Sequence, residues 1–142
     1  MKALLVLTLV VVVSGASPLP GLPSYTAGYT SWTKLNSKPI PRRAVDAHSS
    51  IKNVYVSKLP RAGRFPVGTV VVKEGRQRAG APVTLIAVMR KLRATGPHNG
   101  WQMIEWTRSS GSARFSELAR GQVCTSCHFQ ARKTDYVFTK RR

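Results

Sequence analysis

The amino-acid sequence predicts an α+β domain in which antiparallel β-structure predominates, and three observations carry that prediction. Positions 69–73 read Thr-Val-Val-Val-Lys, a β-branched run whose restricted χ1 torsions suit a pleated strand far better than a helix. Two further apolar runs, 83–90 and 101–107, are of strand length and flank the turn-rich Thr-Gly-Pro-His-Asn-Gly at 95–100, so the chain doubles back as a meander. Helical signals are confined to the two ends of the chain.

Taken in order, Met1-Lys2, the apolar stretch 3–13 and Ser14-Gly15-Ala16 have the layout of a secretory signal, with cleavage expected after Ala16 and residence in the periplasm. The apolar stretch is shorter than the roughly 20 residues of a spanning helix, which argues against a retained anchor. No later stretch approaches that length, so no transmembrane segment is expected after cleavage. Residues 17–23, with Pro18, Pro20 and Pro23, read as a stiff exposed leader into a single domain spanning 24–142. Ser24 is positioned to cap a helix whose inner face is Tyr25, Tyr29 and Trp32, at i, i+4 and i+7. Pro39 and Pro41 end that element, and 51–57, with Ile51, Val54, Tyr55 and Val56, opens the β region. After the strands, Ser112 caps a predicted short helix over 113–120 that Gly121 stops.

Twenty-three Lys and Arg against 5 Asp and Glu leave a formal net charge of +18, a field that favours anionic partners: an acidic redox protein, lipid headgroups, surface polymers or nucleic acid. The basic residues are scattered along the chain, and the densest run, 140–142, reads as a solvated tail. Export, and the lack of any zinc-finger, helix-turn-helix or RNA-binding signature, set nucleic acid aside.

The only two cysteines, Cys124 and Cys127, stand three apart and are followed at once by His128, the arrangement that marks c-type haem attachment. Two thiols one helical turn apart reach the two vinyl groups of one porphyrin, and the adjacent imidazole meets the iron from below. A thioredoxin-like pair would need a βαβ setting, and a zinc site a second ligand pair; the sequence offers neither. Beyond the signal only Met89 and Met103 remain as methionine ligands for the other iron face. Both lie in predicted strands, where filling the core is their default role, so the iron is expected to keep an open position.

Gly68-Thr69-Val70-Val71-Val72-Lys73-Glu74, then Gly100-Trp101, then the cysteine motif, then Thr134-Asp135-Tyr136-Val137-Phe138-Thr139, together resemble the cytochrome P-460 family and the related cytochromes c′-β, over nearly the whole mature chain. The resemblance implies a mainly β fold packed on one covalently bound haem c, an N-terminal helix, a helical haem-attachment segment and a homodimer. It implies further that Lys73 occupies the position of a lysine bonded to the haem edge. Alternation puts Val67, Thr69, Val71 and Lys73 on one strand face, where burial would lower the amine's pKa; the other reading is a lysine that snorkels outward.

Hydroxylamine-oxidising members carry an acid on the strand after that lysine, where this chain has Met89. The nearest acids are Glu74, on the opposite face from Lys73, and Glu105, on a later strand. Two other departures are His48, in place of an apolar residue, and Lys52, in place of an arginine. His48 reads as a distal hydrogen-bond donor, proton carrier or weak sixth ligand, or simply as an exposed polar residue. Lys73, His48 and Lys52 are thus the candidates for chemistry, Cys124, Cys127, His128 and Lys73 for haem binding, and His128 for the iron. Three functions remain open: binding nitric oxide or related small nitrogen compounds, oxidising hydroxylamine, and carrying electrons without substrate chemistry. The open iron and Lys73 favour the first two, and the displaced acid favours binding over turnover.

Overall fold

Six strands, β1 (Thr33–Lys34), β2 (Ile51–Val56), β3 (Val70–Arg76), β4 (Val83–Lys91), β5 (Trp101–Thr107) and β6 (Ser116–Arg120), form one antiparallel sheet in sequential order. The computed structural model describes residues 15–140, so the apolar stretch of the expected secretory signal lies outside the described residues. Among them no helix is long and apolar enough to cross a membrane.

The alternating side chains of the strands separate two cores. On one face Val70, Val72, Ile86, Val88, Ile104 and Trp106 pack with Leu22, Tyr29 and Phe115. On the other, the register lines up Val56, Val71, Met89 and Met103 in a row across four strands. That row is closed off by Leu35, Phe65, Trp101 and Val137, and Cys124 and Tyr136 pack against it. Cys124 belongs to α1 (Gln122–His128), the one α-helix among the described residues, which continues into a 3₁₀ segment, Phe129–Thr134.

Three local expectations are corrected. The predicted helix from Ser24 is two 3₁₀ turns, Ser24–Thr26 and Tyr29–Ser31, because Gly28 between them is left-handed with φ 64° and Ser24 makes no capping bond. Tyr29 is nevertheless buried, so the aromatic spacing reported the core correctly while the helix it suggested did not form. Residues 113–120 are not a helix: Phe115 is buried in the first core and 116–120 become β6, since the outer edge of β5 supplies partners for the backbone groups. Gly121, at φ 67°, does end that element and turns the chain into α1.

The segment 17–23 is docked rather than exposed. Leu22 is 7 % exposed within the first core, and the Phe115 amide donates to the Pro20 carbonyl at 2.8 Å. A Cβ on Gly21 would lie 2.1 Å from the Phe115 carbonyl oxygen, so only glycine permits this approach. Leu22→Ala is therefore expected to cost about 2 kcal/mol or more in urea unfolding. A free leader would show no change.

Candidate functional site

The second face of the sheet carries the polar side chains of the site in one row. Val54 pairs with Lys73, Lys73 with Ala87, and Ala87 with Glu105. With strands about 4.8 Å apart, Lys73 and Glu105 are set roughly 10 Å apart, and the small Ala87 between them leaves room above the sheet. A small cavity of about 90 Å³, partly open to solvent, lies there. Its walls are Val54, Val71, Met89 and Met103 from the sheet, Cys124, Cys127 and His128 from α1, Val137 and Phe138 from the C-terminal segment, and Ala47 and His48 from the loop before β2.

Cys124 and Cys127 are free thiols one turn apart on α1, and both line the cavity. Burial, then the charge of Glu105, pushes the Cys124 thiol above its ordinary value. His128 is 9 % exposed, and its Nδ1 stands 2.8 Å from the Tyr136 carbonyl oxygen. A carbonyl can only accept, so Nδ1 carries the proton and the lone pair of Nε2 is left for a metal. Burial pushes the imidazole down to about 4 despite that hydrogen bond, so the ring is neutral, the ligating form, at neutral pH.

The Tyr136 carbonyl is held by an anchor that the motif itself does not announce. Asp135 and Tyr136 are both left-handed, with φ 50° and 66°, which turns the chain back toward α1. The Asp135 carboxylate accepts from Lys91 Nζ at 2.9 and 3.0 Å, Trp101 Nε1 at 3.1 Å, the Phe65 amide at 2.8 Å and the Asn99 side-chain amide. Burial alone would raise this carboxyl; the Lys91 ammonium and the other donors outweigh it and hold it below the usual range.

Opposite α1, His48 Nδ1 lies 3.2 Å from Glu105 Oε1, and both side chains are largely buried. Lys52, 3 % exposed, does not line the cavity. Its ammonium pairs with Asp46 and donates to the His48 carbonyl at 3.1 Å, while the His48 amide donates to Asp46 Oδ1 at 3.1 Å. Lys52 and Asp46 thus clamp the loop that presents His48. Burial opposes the ionised Asp46, but Lys52 and the His48 amide prevail and its carboxyl sits below the usual range.

Lys73 lines the cavity with an ammonium lowered in pKa, chiefly by burial, and the lowering survives the opposing charge of Asp46. Its neighbour Glu74 faces the other core, as alternation expects, and accepts from Tyr29 Oη at 2.9 Å. Met89 is an apolar wall. The cavity's carboxylate comes instead from Glu105, which the sequence reading left unassigned. Its alternation with Met103 along β5 was the available signal, but only the strand order shows that this face also holds Lys73.

Two thiols and a neutral imidazole on one helical turn, facing an apolar cavity beside a sheet, are a donor set that fits a porphyrin. The chain belongs to the cytochrome P460 family, whose family pattern matches residues 26–139. Membership brings haem binding and the class of c-type cytochromes with it, and the mainly antiparallel β fold agrees. A comparison with curated proteins returns no match.

Proposed function

We propose that the chain is an exported, periplasmic cytochrome with one haem c, tethered through Cys124 and Cys127 and ligated by His128, that binds or transforms nitric oxide or hydroxylamine at an open iron face. The observation that carries this reading is the convergence of Lys73 and the Glu105–His48 pair on the cavity that also receives Cys124, Cys127 and His128. When bound, the haem supplies an iron that ligates a small nitrogen compound and exchanges electrons with it. Both remaining methionines are committed to the sheet wall, 6 % and 3 % exposed, which supports an open coordination position.

Each attachment is redox-neutral, because the S–H of a cysteine adds across one vinyl group. A bond from Lys73 Nζ to the ring edge would replace an N–H and a C–H and so needs a two-electron oxidant of the peroxide class during maturation. The depressed amine pKa supports it by supplying a free lone pair. Lys73→Ala is expected to abolish a red-shifted ferrous Soret band; an ordinary haem c spectrum in both proteins would show that no such bond forms.

Glu105 restores a base to a cavity where Met89 offers none. Its carboxylate takes a proton from hydroxylamine as electrons leave, and His48 Nδ1, 3.2 Å away, holds that carboxylate in place. This geometry moves the balance back toward turnover. Spectra of the ferrous holoprotein with nitric oxide, and of the ferric holoprotein with hydroxylamine, test the reading; if neither ligand alters the spectrum, the chain is an electron carrier. Glu105→Gln is expected to slow hydroxylamine consumption about 10²–10⁴-fold while nitric oxide binding persists. A homodimer and an acidic redox partner belong to the same proposal, the latter supported by the net charge of +18.

A further inference from the structure

The five acidic residues are almost all withdrawn from the surface. Asp46 is paired with Lys52, Glu74 with Tyr29, Asn53 and Arg76, Glu105 with His48, and Asp135 with Lys91. Only Glu117 stands on the exposed surface, and Arg120 neutralises it. The exterior is therefore close to a pure array of cations, and the question is where that array is organised.

The antiparallel register brings residues 41–50, 77–82 and 108–115 to one end of the sheet, because Ile51 and Val83 both face Arg76 while Thr107 faces Leu85. The second and third of these loops touch, since a Cβ on Gly111 would meet Pro82 at 2.9 Å, and Ser50 packs the first against Gly75 at the end of β3. This end carries Arg42, Arg43, Arg76, Arg78, Arg108 and Arg114, while the one lysine ammonium that reaches it, from Lys52, is buried against Asp46. Three of them brace the loops: Arg76 donates to the Ala81 carbonyl at 2.6 Å, Arg108 to Val83 at 2.7 Å, and Arg42 to Ser49 Oγ at 2.9 Å. Arg43, Arg78 and Arg114 are exposed. Guanidinium forks match carboxylates in pairs, which lysines do not.

The same end borders the cavity, since Ala47 and His48 line it, whereas Leu35, Val56, Phe65 and Trp101 fill the far half of that face. Val45 is the only large apolar side chain exposed at the arginine end among the described residues, too little to seat it in a bilayer. We propose that this end is the docking surface for an acidic electron-transfer protein, whose carboxylates meet the arginines beside the cavity mouth. The inference rests on the cytochrome reading for the partner's role.

The test uses the holoprotein and an acidic flavodoxin as probe, with affinity measured by titration calorimetry at low ionic strength. Arg43→Glu/Arg78→Glu/Arg114→Glu is expected to weaken binding about tenfold or more, and the equally charged Arg61→Glu/Arg64→Glu/Arg93→Glu, at the opposite end, by no more than about threefold. Equal losses in the two triples would mean net charge alone, and overturn the proposal. So would wild-type protein that binds phosphatidylglycerol vesicles but not flavodoxin. The two readings fail separately: wild-type protein that leaves a maturation-competent host without haem yet shows the expected pattern upholds the surface and sinks the cytochrome reading, whereas haem-loaded protein without the pattern sinks the surface alone.

Discussion

Asp135→Ala is expected to lower the stability of the protein by about 3–5 kcal/mol, a large share of the 5–15 kcal/mol that holds a typical domain. The carboxylate and its principal partner, Lys91, are each 1 % exposed, so the substitution strands an ammonium in the interior and leaves the Trp101 indole, the Asn99 amide and the Phe65 N–H without their acceptor. Urea unfolding measures the loss. A change within about 0.5 kcal/mol, as at an ordinary surface site, would show that the anchor is not an energetic unit. The double variant Lys91→Met/Asp135→Asn should recover most of the stability, since removing both charges removes the uncompensated one, and Asn tolerates the left-handed backbone at φ 50°.

The sign of the pH dependence follows from the depressed Asp135 carboxyl. Its contribution is fully present above the unfolded carboxylate value of about 4 and is lost as pH falls through the lower folded value. The Asp135→Asn single variant should therefore lose the part of the acid-induced destabilisation that wild type shows below about pH 4. If the two acid unfolding curves run parallel, the carboxylate is not the group responsible.

The second large effect is chemical. Cys124→Ser/Cys127→Ser, produced in a host with the cytochrome maturation apparatus, is expected to yield protein whose intact mass lacks the haem that wild type retains under denaturing conditions. Each single substitution leaves one thioether and a vinyl group, and the pyridine spectrum of the reduced haem reports that difference. Wild-type protein with the bare polypeptide mass would refute attachment altogether. His128→Ala leaves both sulfur tethers available and removes the Nε2 ligand, so covalently bound haem with an altered iron spectrum is the expected outcome.

How far the sequence could be read depended on whether the signal was local. Residues 69–73 declare their strand through χ1 crowding, and Cys124, Cys127 and His128 form a recognisable motif through their spacing on one turn. The family resemblance, too, rests on contiguous motifs, and the match over 26–139 bears it out. Where neighbours decide, local reasoning failed. Residues 116–120 have no strong intrinsic preference, and an unpaired β5 edge made them a strand; Leu22 sits among prolines, yet a core needed it.

The haem-type cysteine and histidine motif, the antiparallel β character and the strand face of Lys73 were legible in the chain alone, because each follows from covalent spacing or from the two-residue alternation of a strand. It took the folded chain to bring Glu105 into the cavity with Lys73, to set Asp135 against the turn whose carbonyl orients His128, and to gather six arginines at one end of the sheet. Those are relations between strands and loops far apart in the chain. They exist only once register is set, and register is chosen by the burial of two whole faces rather than by any single residue.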